Sequence, residues 1–326
     1  MTKEIMNKVR ILITGGSGFI GTNIIEFYKD KYHVLNFDIN KPRNKQHMDF
    51  WVKGDILNKK HLVKTFKSFQ PDYVFHMAAR TDLLGKSIQD YEANTEGVNN
   101  IIAAINSINS IKKTIFASSR LVCEIGYKPK NEFDYKPSTI YGESKIIGEK
   151  IIRNSSELKN QWIIVRPTSL WGPWFDIPYK NFFDTINKNL YVHPKGRRVF
   201  KKFGFIGNSV FILDKLMFND TLNTHTLYLS DFRVLEVKQW ADIISYKIHG
   251  HNVKSVPLFV LKLLALSGAI LKIIGYKSPP ITSFRLDNLL TTMDYNTSEV
   301  EQVVGQLPYN LEEATSITYD WYKEKK

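Results

Sequence analysis

Short apolar runs alternate with stretches of helical periodicity along the first half of the chain. Strands are predicted at Val9–Thr14, His33–Asp38, Trp51–Lys53, Tyr73–His76, Thr114–Ala117 and Trp162–Val165. Helices are predicted at Phe19–Lys29, Lys59–Phe69, Ser87–Ile108 and Ile140–Arg153. Strands and helices in turn indicate a parallel sheet covered by helices on both faces. The expected fold class is therefore α/β with a doubly wound parallel sheet.

A glycine-rich turn, TGGSGFIG at residues 14–21, joins the first predicted strand to the first predicted helix. Gly15 permits a tight turn, Gly18 lets the backbone approach a pyrophosphate, and Gly21 lets helix and strand pack closely. The start of the helix adds free N–H groups and a partial positive charge. We therefore predict a Rossmann-type fold with a bound dinucleotide. The predicted cofactor contacts in this turn are Gly15, Gly18, Phe19, Ile20 and Gly21.

Two aspartates after later strands bear on the choice of dinucleotide. Asp38 ends the second predicted strand, where a carboxylate binds the adenosine ribose and repels the extra phosphate of NADP. NAD is therefore the predicted cofactor, although Arg43 is close enough in sequence to soften that preference. Asp55 and Ile56 belong to the segment KGDIL, where Asp55 is a candidate to accept a hydrogen bond from the adenine amine.

The regular alternation ends after Arg166. Proline and aromatic residues cluster in RPTSLWGPWFDIPY, and the segments beyond it are less regular. We predict an NAD-binding domain over residues 1–166 and a mainly substrate-binding domain, a smaller C-terminal cap, over residues 167–326. Segments such as Phe205–Phe211 are candidates to return to the first domain.

Three polar residues form a candidate catalytic group. Tyr141 and Lys145, in YGESK, are four residues apart on a predicted helix and therefore share a face. A free tyrosine has a pKa of about 10, which a neighbouring ammonium and the positive nicotinamide of NAD would lower toward the working range of a base. Ser118 and Ser119 follow a predicted strand at the sheet edge where ligands bind, and a hydroxyl there can share the substrate's proton.

These motifs, in this order, resemble the extended short-chain dehydrogenase/reductases, which include the nucleotide-sugar epimerases and dehydratases. The matching features are TGGSGFIG, Asp38, GDIL, HMAAR at 76–80, the asparagine of YEANTEGVNN, ASSRLV, YGESK and RPTSLWGP at 166–173. The resemblance covers the first half densely and thins to LPYNLEEATSITYDWY near the C-terminus.

The resemblance implies roles for the matched positions. It implies catalysis by Ser119, Tyr141 and Lys145, with Tyr141 and Lys145 also contacting the cofactor. It further implies that Ala78, Ala79 and Pro167 line the cofactor, that Asn94 lies beneath the active site, and that Thr81, Ser169 and Lys202 are near the substrate. Many relatives pair the helices that match Glu92–Ile108 and Ile140–Arg153 across a dimer, so a homodimer is expected.

The residues after Ser119 bear on the type of reaction. Sugar-nucleotide 4,6-dehydratases carry an acidic pair there, and decarboxylating relatives carry a carboxylate at the second place, whereas this chain has Arg120 and Leu121. Both reactions are therefore disfavoured, while the Ser–Tyr–Lys set needed by an epimerase is present. The usual later acidic pair is replaced by Gly207 and Asn208, and Lys201 or Lys202 replaces an arginine that often meets the substrate diphosphate.

Three functions follow from these observations. The favoured one is an NAD-dependent nucleotide-sugar epimerase that oxidises a sugar hydroxyl to a ketone and reduces it again, in surface polysaccharide biosynthesis. The alternatives are a hydroxysteroid-type or other alcohol dehydrogenase, and a catalytically silent NAD-sensing protein. No metal is expected in any of them.

Charge and the one long apolar segment restrict the partners. The net charge is +13, but the lysines are scattered along the chain, so no nucleic-acid partner is predicted. The single cysteine, Cys123, excludes a disulfide framework, and the N-terminus resembles a first strand and not a signal peptide, so a cytoplasmic protein is expected.

Val256–Tyr276 approaches the roughly 20 apolar residues that cross a bilayer, but Lys262 and Lys272 interrupt it. We predict a buried or half-buried helix of the cap, with contact to a membrane surface as the alternative.

Overall fold

The computed structural model describes residues 8–176, 179–222, 225–273 and 283–325. The strands are β1 (Arg10–Thr14), β2 (His33–Asp38), β3 (Trp51–Lys53), β4 (Tyr73–His76), β5 (Lys113–Ala117), β6 (Gln161–Pro167), β7 (Ser169–Trp171), β8 (Val192–Pro194), β9 (Phe200–Lys201), β10 (Phe203–Phe205), β11 (His225–Leu229), β12 (Leu235–Glu236) and β13 (Lys254–Val256). The α-helices are α1 (Phe19–Tyr28), α2 (Lys59–Phe69), α3 (Glu96–Asn106), α4 (Ile140–Asn154), α5 (Tyr179–Asn187), α6 (Ile206–Met217), α7 (Val237–His249), α8 (Leu258–Ile273), α9 (Ser283–Leu290), α10 (Ser298–Val304) and α11 (Leu311–Glu324).

Across these described segments, seven strands form one parallel sheet in the order β3-β2-β1-β4-β5-β6-β11. Strand β1 pairs with β2 on one side and β4 on the other, so the strand order reverses beside β1. Crevices at such a reversal, outside the carboxyl ends of the strands, are where ligands bind in open α/β sheets. The predicted α/β Rossmann-type fold is confirmed.

Alternate side chains of the strands enter two separate cores. Leu12 of β1 packs with helices α2 and α3 through residues such as Phe66 and Ile101. On the opposite face, Ile13 packs in the core that contains Ile24 of α1. Because both faces of the sheet are covered, its strands are almost continuously apolar.

The predicted helix Ser87–Ile108 is wrong as a single element. A short 3-10 helix, Ile88–Asn94, precedes α3, and Tyr91 within it has non-helical angles of φ −115 and ψ 32. Ser87 and Asp90 form a capping box that starts the short helix. Tyr91 and Asn94 are buried three residues apart, and Gly97 and Val98 continue that spacing into α3, so periodicity alone does not show the break.

Part of the chain beyond residue 166 builds the central sheet and its cover. Strand β11 pairs with β6 at the sheet edge, and α6 packs against α1. The buried Lys113 ties the end of α6 to the sheet, since its ammonium donates to the carbonyls of Leu216, Asn219 and Leu222. The other described strands form three two-stranded ladders, which pair β7 with β10, β8 with β13 and β9 with β12.

The apolar segment after Val256 forms α8, and residues 274–276 of that segment lie outside the described residues. Leu261 and Ala265 are buried against Leu286 of α9. In contrast, Phe259 and Leu263 are 64% and 62% exposed. Among the described residues, no helix is long and apolar enough to cross a membrane.

Candidate active site

The glycine-rich turn lies at the carboxyl end of β1 and provides an open cradle. Gly15 has φ +73, and a Cβ atom there would lie 2.5 Å from the backbone nitrogen of Ala78. A Cβ at Gly21 would lie 2.4 Å from the carbonyl oxygen of Gly15. Gly18 is the N-cap residue of α1, and because glycine has no side chain, no side-chain hydrogen bond caps the N–H groups at the start of this helix. Phe19 and Ile20 are the first residues of α1, so their backbone N–H groups have no partner within the helix and are available to a pyrophosphate.

Asp38 lies beside this cradle with its carboxylate held by the backbone. Its two oxygens accept hydrogen bonds from the backbone N–H groups of Ser17 (3.0 Å) and Asn40 (2.8 Å). Burial raises the pKa of Asp38, and these hydrogen bonds together with the charge of Arg43 oppose that effect. Arg43 itself pairs with Asp176 at 3.2 Å. A bound ribose would therefore meet a positioned carboxylate, while Arg43 is engaged elsewhere.

The segment after β3 contains Asp55 and Ile56, the residues predicted to contact the adenine end of the cofactor. Asp55 is exposed and accepts a hydrogen bond from the backbone N–H of Leu57 at 2.8 Å. Ile56 is buried, and its carbonyl accepts a hydrogen bond at 3.1 Å from the side chain of Asn100 on α3. Because Asp55 is exposed, its other carboxylate oxygen can face solvent. The side chain of Ile56 is instead buried in the protein.

Asn94 braces the loop that follows β4. Its amide oxygen accepts from the backbone N–H of Arg80, and its amide nitrogen donates to the carbonyl of Arg80 and to the hydroxyl of Ser144 on α4, each at 2.9 Å. The loop residues Ala78 and Ala79 are half-buried, and Thr81 is exposed. Asn94 therefore joins this loop to the helix that carries Tyr141 and Lys145.

Ser119 and Tyr141 meet at the carboxyl end of β5. Thr139 caps α4 by accepting a hydrogen bond from the N–H of Gly142 at 3.0 Å, which places Tyr141 in the first turn. Ser119 accepts from the N–H of Leu121 at 3.1 Å, and its hydroxyl is hydrogen-bonded to the Tyr141 phenol. Burial raises the pKa of Tyr141 to about 12, while the bond to Ser119 and the charge of Arg120 act in the opposite direction.

Lys145 lies one turn further along α4. Its ammonium donates to the carbonyl of Ala117 at 2.9 Å, and burial lowers its pKa to about 8. Sequence reasoning assigned the stabilisation of the Tyr141 phenolate to Lys145. That role of Lys145 stays a prediction, and Arg120 is a further cation whose charge lowers the pKa of Tyr141. In the sequence, Arg120 was noted only because it stands where dehydratases carry an acid. Its position directly after Ser119 was the signal that could have identified it as a cation close to Tyr141.

The neighbouring Ser118 belongs to a separate buried network. Its hydroxyl donates to Glu149 at 2.5 Å. Arg166 donates to both oxygens of the same carboxylate at 2.8 and 2.7 Å, and Tyr135 donates to it at 2.8 Å. Ser118 is thus occupied by a structural ion pair beneath the site, and Ser119 is the serine that reaches Tyr141.

Comparison with known protein families identifies the family to which this chain belongs. Residues 11–197 match the sequence model of the NAD dependent epimerase/dehydratase family. The chain belongs to this family. It is an enzyme of the epimerase and dehydrogenase kind, and its cofactor is NAD, as predicted.

Two relatives are similar over almost their whole length. The N-acetyl-alpha-D-glucosaminyl-diphospho-ditrans,octacis-undecaprenol 4-epimerase of Escherichia coli O157:H7 is 23% identical, covering 97% of this chain and 96% of the relative. The decarboxylating sterol-4-alpha-carboxylate 3-dehydrogenase of Schizosaccharomyces pombe is 25% identical, covering 98% and 99%. The fold is also that of the UDP-glucuronic acid 4-epimerase from Bacillus cereus, with a TM-score of 0.75, 18% identity and coverage of 98% and 100%.

Three residues predicted to line the cofactor or the substrate, Pro167, Ser169 and Lys202, lie at the end of β6 or beyond it. Pro167 ends β6 half-buried, and Ser169 is buried on β7, with its side chain hydrogen-bonded to Tyr179. The Lys202 ammonium is bonded to other protein groups, since it donates to the carbonyl of Tyr295 at 2.6 Å and pairs with Asp294 at 3.0 Å. Ser169 and the Lys202 ammonium are thus both bonded to other protein groups in this structure, and their contact with a substrate stays a prediction.

Proposed function

We propose that this protein is an epimerase that inverts a hydroxyl-bearing carbon of a sugar attached to its carrier through a diphosphate. The supporting observation is the composition of the group around Tyr141. Its phenol is hydrogen-bonded to the Ser119 hydroxyl, and the two residues that follow Ser119, Arg120 and Leu121, are not acids. Dehydration would need a second acid–base group within about 3 Å of the sugar or through one water.

The chain's own residues supply a path for one proton. Ser119 holds the sugar hydroxyl against the Tyr141 oxygen, and Tyr141 takes the proton as the carbinol becomes a ketone. The same phenol returns the proton when the other face of the ketone is reduced. NAD, when bound in the glycine cradle, supplies the hydride acceptor and a positive charge that favours the phenolate. Substrate and product are therefore isomers, and no cofactor is consumed.

A nucleotide is the carrier we propose first, in surface polysaccharide biosynthesis. The proposal follows from the motifs around Ser119 and Tyr141, and a UDP-sugar 4-epimerase of the same fold supports it. The enzyme would then act before the sugar is transferred to a polymer or lipid.

A polyprenol is the second candidate carrier, and α8 favours it. Phe259, Leu263 and Leu266 are 64%, 62% and 58% exposed and lie on one helical face, with the exposed Lys262 among them. An apolar helical face with cationic residues is typical of contact with a lipid surface. The relative from Escherichia coli bears the name of an enzyme for a polyprenol-linked sugar, which supports this alternative.

Direct assay separates these proposals. The NAD-loaded enzyme would be incubated with UDP-glucose, UDP-glucuronic acid, UDP-N-acetylglucosamine and undecaprenyl-diphospho-N-acetylglucosamine, and the products followed by NMR and mass spectrometry. An epimer of unchanged mass without NADH accumulation supports the proposal. Loss of one water would overturn it in favour of a dehydratase, and stoichiometric NADH with loss of two hydrogens would overturn it in favour of a simple dehydrogenase.

Variants of α8 distinguish the carriers. Leu263→Ser should reduce turnover of the polyprenol-linked sugar alone if that is the substrate. Leu190→Ser is the matched control, because Leu190 is also highly exposed, at 68%, but lies outside α8. Equal effects of the two variants would remove the support that α8 gives to a lipid-linked substrate.

We also propose a homodimer formed through the segments Glu92–Ile108 and Ile140–Arg153. Ile147 and Ile151 on α4 are one turn apart and remain half-exposed, as expected of residues that a partner covers. Sedimentation of the wild type beside Ile147→Glu would test this, because a charge on that face should dissociate a dimer. The cytoplasmic location stays a prediction.

A further inference from the structure

Acidic residues are unevenly distributed along this chain. Lysine and arginine occur throughout, but residues 185–213 and residues 243–286 contain no aspartate or glutamate. Each of these stretches carries six lysine or arginine residues, and the whole chain has a net charge of +13. The two stretches therefore contribute nearly all of the excess positive charge. Counting lysines alone hides this concentration, because it is the acids that are missing.

The fold brings the two acid-free stretches together. Strand β8 of the first stretch and β13 of the second form a parallel ladder, in which Val192 lies opposite Lys254. Directly after β8, the backbone N–H of Lys195 donates to the carbonyl of Val256 at 2.7 Å. Because β13 ends at Val256 and α8 begins two residues later, the basic residues that follow β8 lie beside the start of this helix.

A tight turn after β8 presents two of the cations. The backbone N–H of Arg197 donates to the carbonyl of Pro194 at 3.4 Å, and Gly196, at the third position of the turn, has φ +72, a value that favours glycine. Lys195 and Arg197 are both exposed. Within the described segments, neither of them forms an ion pair, so their charges remain available to an outside partner.

Helix α8, which follows β13, adds an apolar face. One side of this helix is buried against α9. On another side, Phe259, Leu263 and Leu266 are 64%, 62% and 58% exposed, and their spacing places them on one helical face. Lys262 is exposed among them, and its long stem can lie along apolar groups while its ammonium reaches a polar layer. Large apolar side chains exposed together on a protein surface mark an interaction site.

We propose that these residues form a surface that binds an anionic lipid bilayer. This basic–apolar surface consists of four exposed cations and three exposed apolar side chains: Lys195, Arg197, Lys254, Lys262, Phe259, Leu263 and Leu266. Anionic phospholipid headgroups attract the cations, and the apolar side chains enter the outer edge of the acyl layer. The adjacent Arg198 is not part of the surface, because it pairs with Glu236 at 3.1 Å.

The composition of the basic–apolar surface favours a bilayer over other partners. A nucleic acid would match the cations but would leave the apolar face of α8 in water. A second copy of this chain would match the apolar face but would bring together two surfaces of the same charge. The inference goes beyond the proposed function, which invokes α8 only for a lipid-linked substrate. The basic–apolar surface binds lipid whichever carrier the sugar has.

Sedimentation of the whole chain with lipid vesicles tests the surface without any substrate. The vesicles contain phosphatidylcholine alone or phosphatidylcholine mixed with phosphatidylglycerol, which is anionic. The wild type should bind the mixed vesicles more tightly, and the bound fraction should fall as salt screens the charges. Lys195→Gln combined with Arg197→Gln should weaken this binding by about 25-fold, or about fivefold for each charge removed. Leu263→Ser should weaken it by about tenfold, because an apolar side chain no longer leaves water.

Matched controls separate the basic–apolar surface from general effects of charge and exposed apolar area. Lys64→Gln combined with Lys67→Gln removes two exposed cations from α2, and should leave vesicle binding unchanged. Leu84→Ser removes a leucine that is 80% exposed in the loop after β4, and should also bind like the wild type. The melting temperatures should stay close to that of the wild type, because every substituted side chain is exposed. Fluorescence of Phe259→Trp should shift to shorter wavelength on mixed vesicles, beyond any shift of the wild type, as α8 enters the acyl layer.

Several outcomes would overturn the proposal. Equal binding of the wild type to both kinds of vesicle would do so, as would equal losses in the Lys195→Gln, Arg197→Gln variant and its α2 control. Binding of duplex DNA without vesicle binding would assign the cations to a nucleic acid. Self-association that Leu263→Ser abolishes, without vesicle binding, would assign α8 to a second copy of the chain. Failure to epimerise a sugar leaves vesicle binding unaffected, whereas an active epimerase that binds no vesicle refutes this surface alone.

Discussion

The two sides of the candidate site satisfy their polar groups in opposite ways. On the cofactor side, Asp38 is held by two backbone N–H groups, and Asn94 bonds at both ends of its amide. On the predicted substrate side, and within the described segments, the Arg120 guanidinium is hydrogen-bonded to Tyr295 but its enclosed Nη1 atom has no partner, and Lys201 pairs with no carboxylate. The backbone thus positions the polar groups of the cofactor side, whereas the predicted substrate side carries charge that no carboxylate of the described segments neutralises. Variants that affect one side and spare the other test this contrast.

The largest effect is expected from Tyr141→Phe, which removes the proton-transfer group and leaves the glycine cradle unchanged. Turnover should fall by about 100- to 10,000-fold, the usual contribution of a positioned acid–base group. NAD affinity, measured by calorimetry, should stay close to that of the wild type. Tyr246→Phe, at a tyrosine that is 65% exposed, is the control. Retention of more than half the wild-type rate would exclude Tyr141 as the base.

The next effect concerns the buried network that supports both sides. Glu149→Gln should leave the Arg166 guanidinium buried without its counter-charge, and the free energy of unfolding should fall by about 3–5 kcal/mol. The pair is well buried, since each side chain is 1% exposed. In the matched control, Glu236→Gln breaks the surface pair with Arg198 and should cost at most about 1 kcal/mol. Equal losses in urea unfolding would show that the Glu149 network does not stabilise the fold.

Asp231 should make the stability of the substrate side depend on pH. Burial raises the pKa of Asp231 to about 7, against hydrogen bonds from Asn208 and the N–H of Phe205. Because the folded-state pKa is raised, the contribution of Asp231 to stability is fully present below about pH 4 and is lost as the pH rises to about 7. The loss is at most about 1.4 kcal/mol per pH unit. The melting temperature of Asp231→Asn relative to the wild type should therefore rise between pH 5 and pH 7, and a constant difference would contradict this assignment.

The smallest effect is expected at the ribose end of the cofactor side. Asp38→Gly should shift the preference for NAD over NADP by about tenfold, equivalent to about 1.4 kcal/mol. Arg43 is paired with Asp176, so a second variant, Asp38→Gly with Asp176→Asn, should shift the preference further by releasing Arg43. Calorimetry with both cofactors measures the change. An unchanged preference in both variants would show that Asp38 does not select the cofactor.

Short-range sequence patterns were sufficient to predict the structural elements on the cofactor side. The turn TGGSGFIG, the strand ending at Asp38 and the helix carrying Tyr141 and Lys145 are each formed by neighbouring residues, so spacing reveals them. The break between Ile88–Asn94 and α3 could not be found in this way, because the spacing of buried residues continues from Tyr91 and Asn94 into Gly97 and Val98.

The sequence by itself determined the Rossmann-type fold, the family and the use of NAD, because these depend on short-range patterns of glycine, apolar and acidic residues. Tertiary structure alone decided which charges remain unpaired on the substrate side. Arg120, Lys201 and Tyr295 are far apart in the chain, and whether a buried cation finds a carboxylate depends on long-range packing. For the same reason Lys202, adjacent to Lys201, could not be recognised from the sequence as the lysine that Asp294 neutralises.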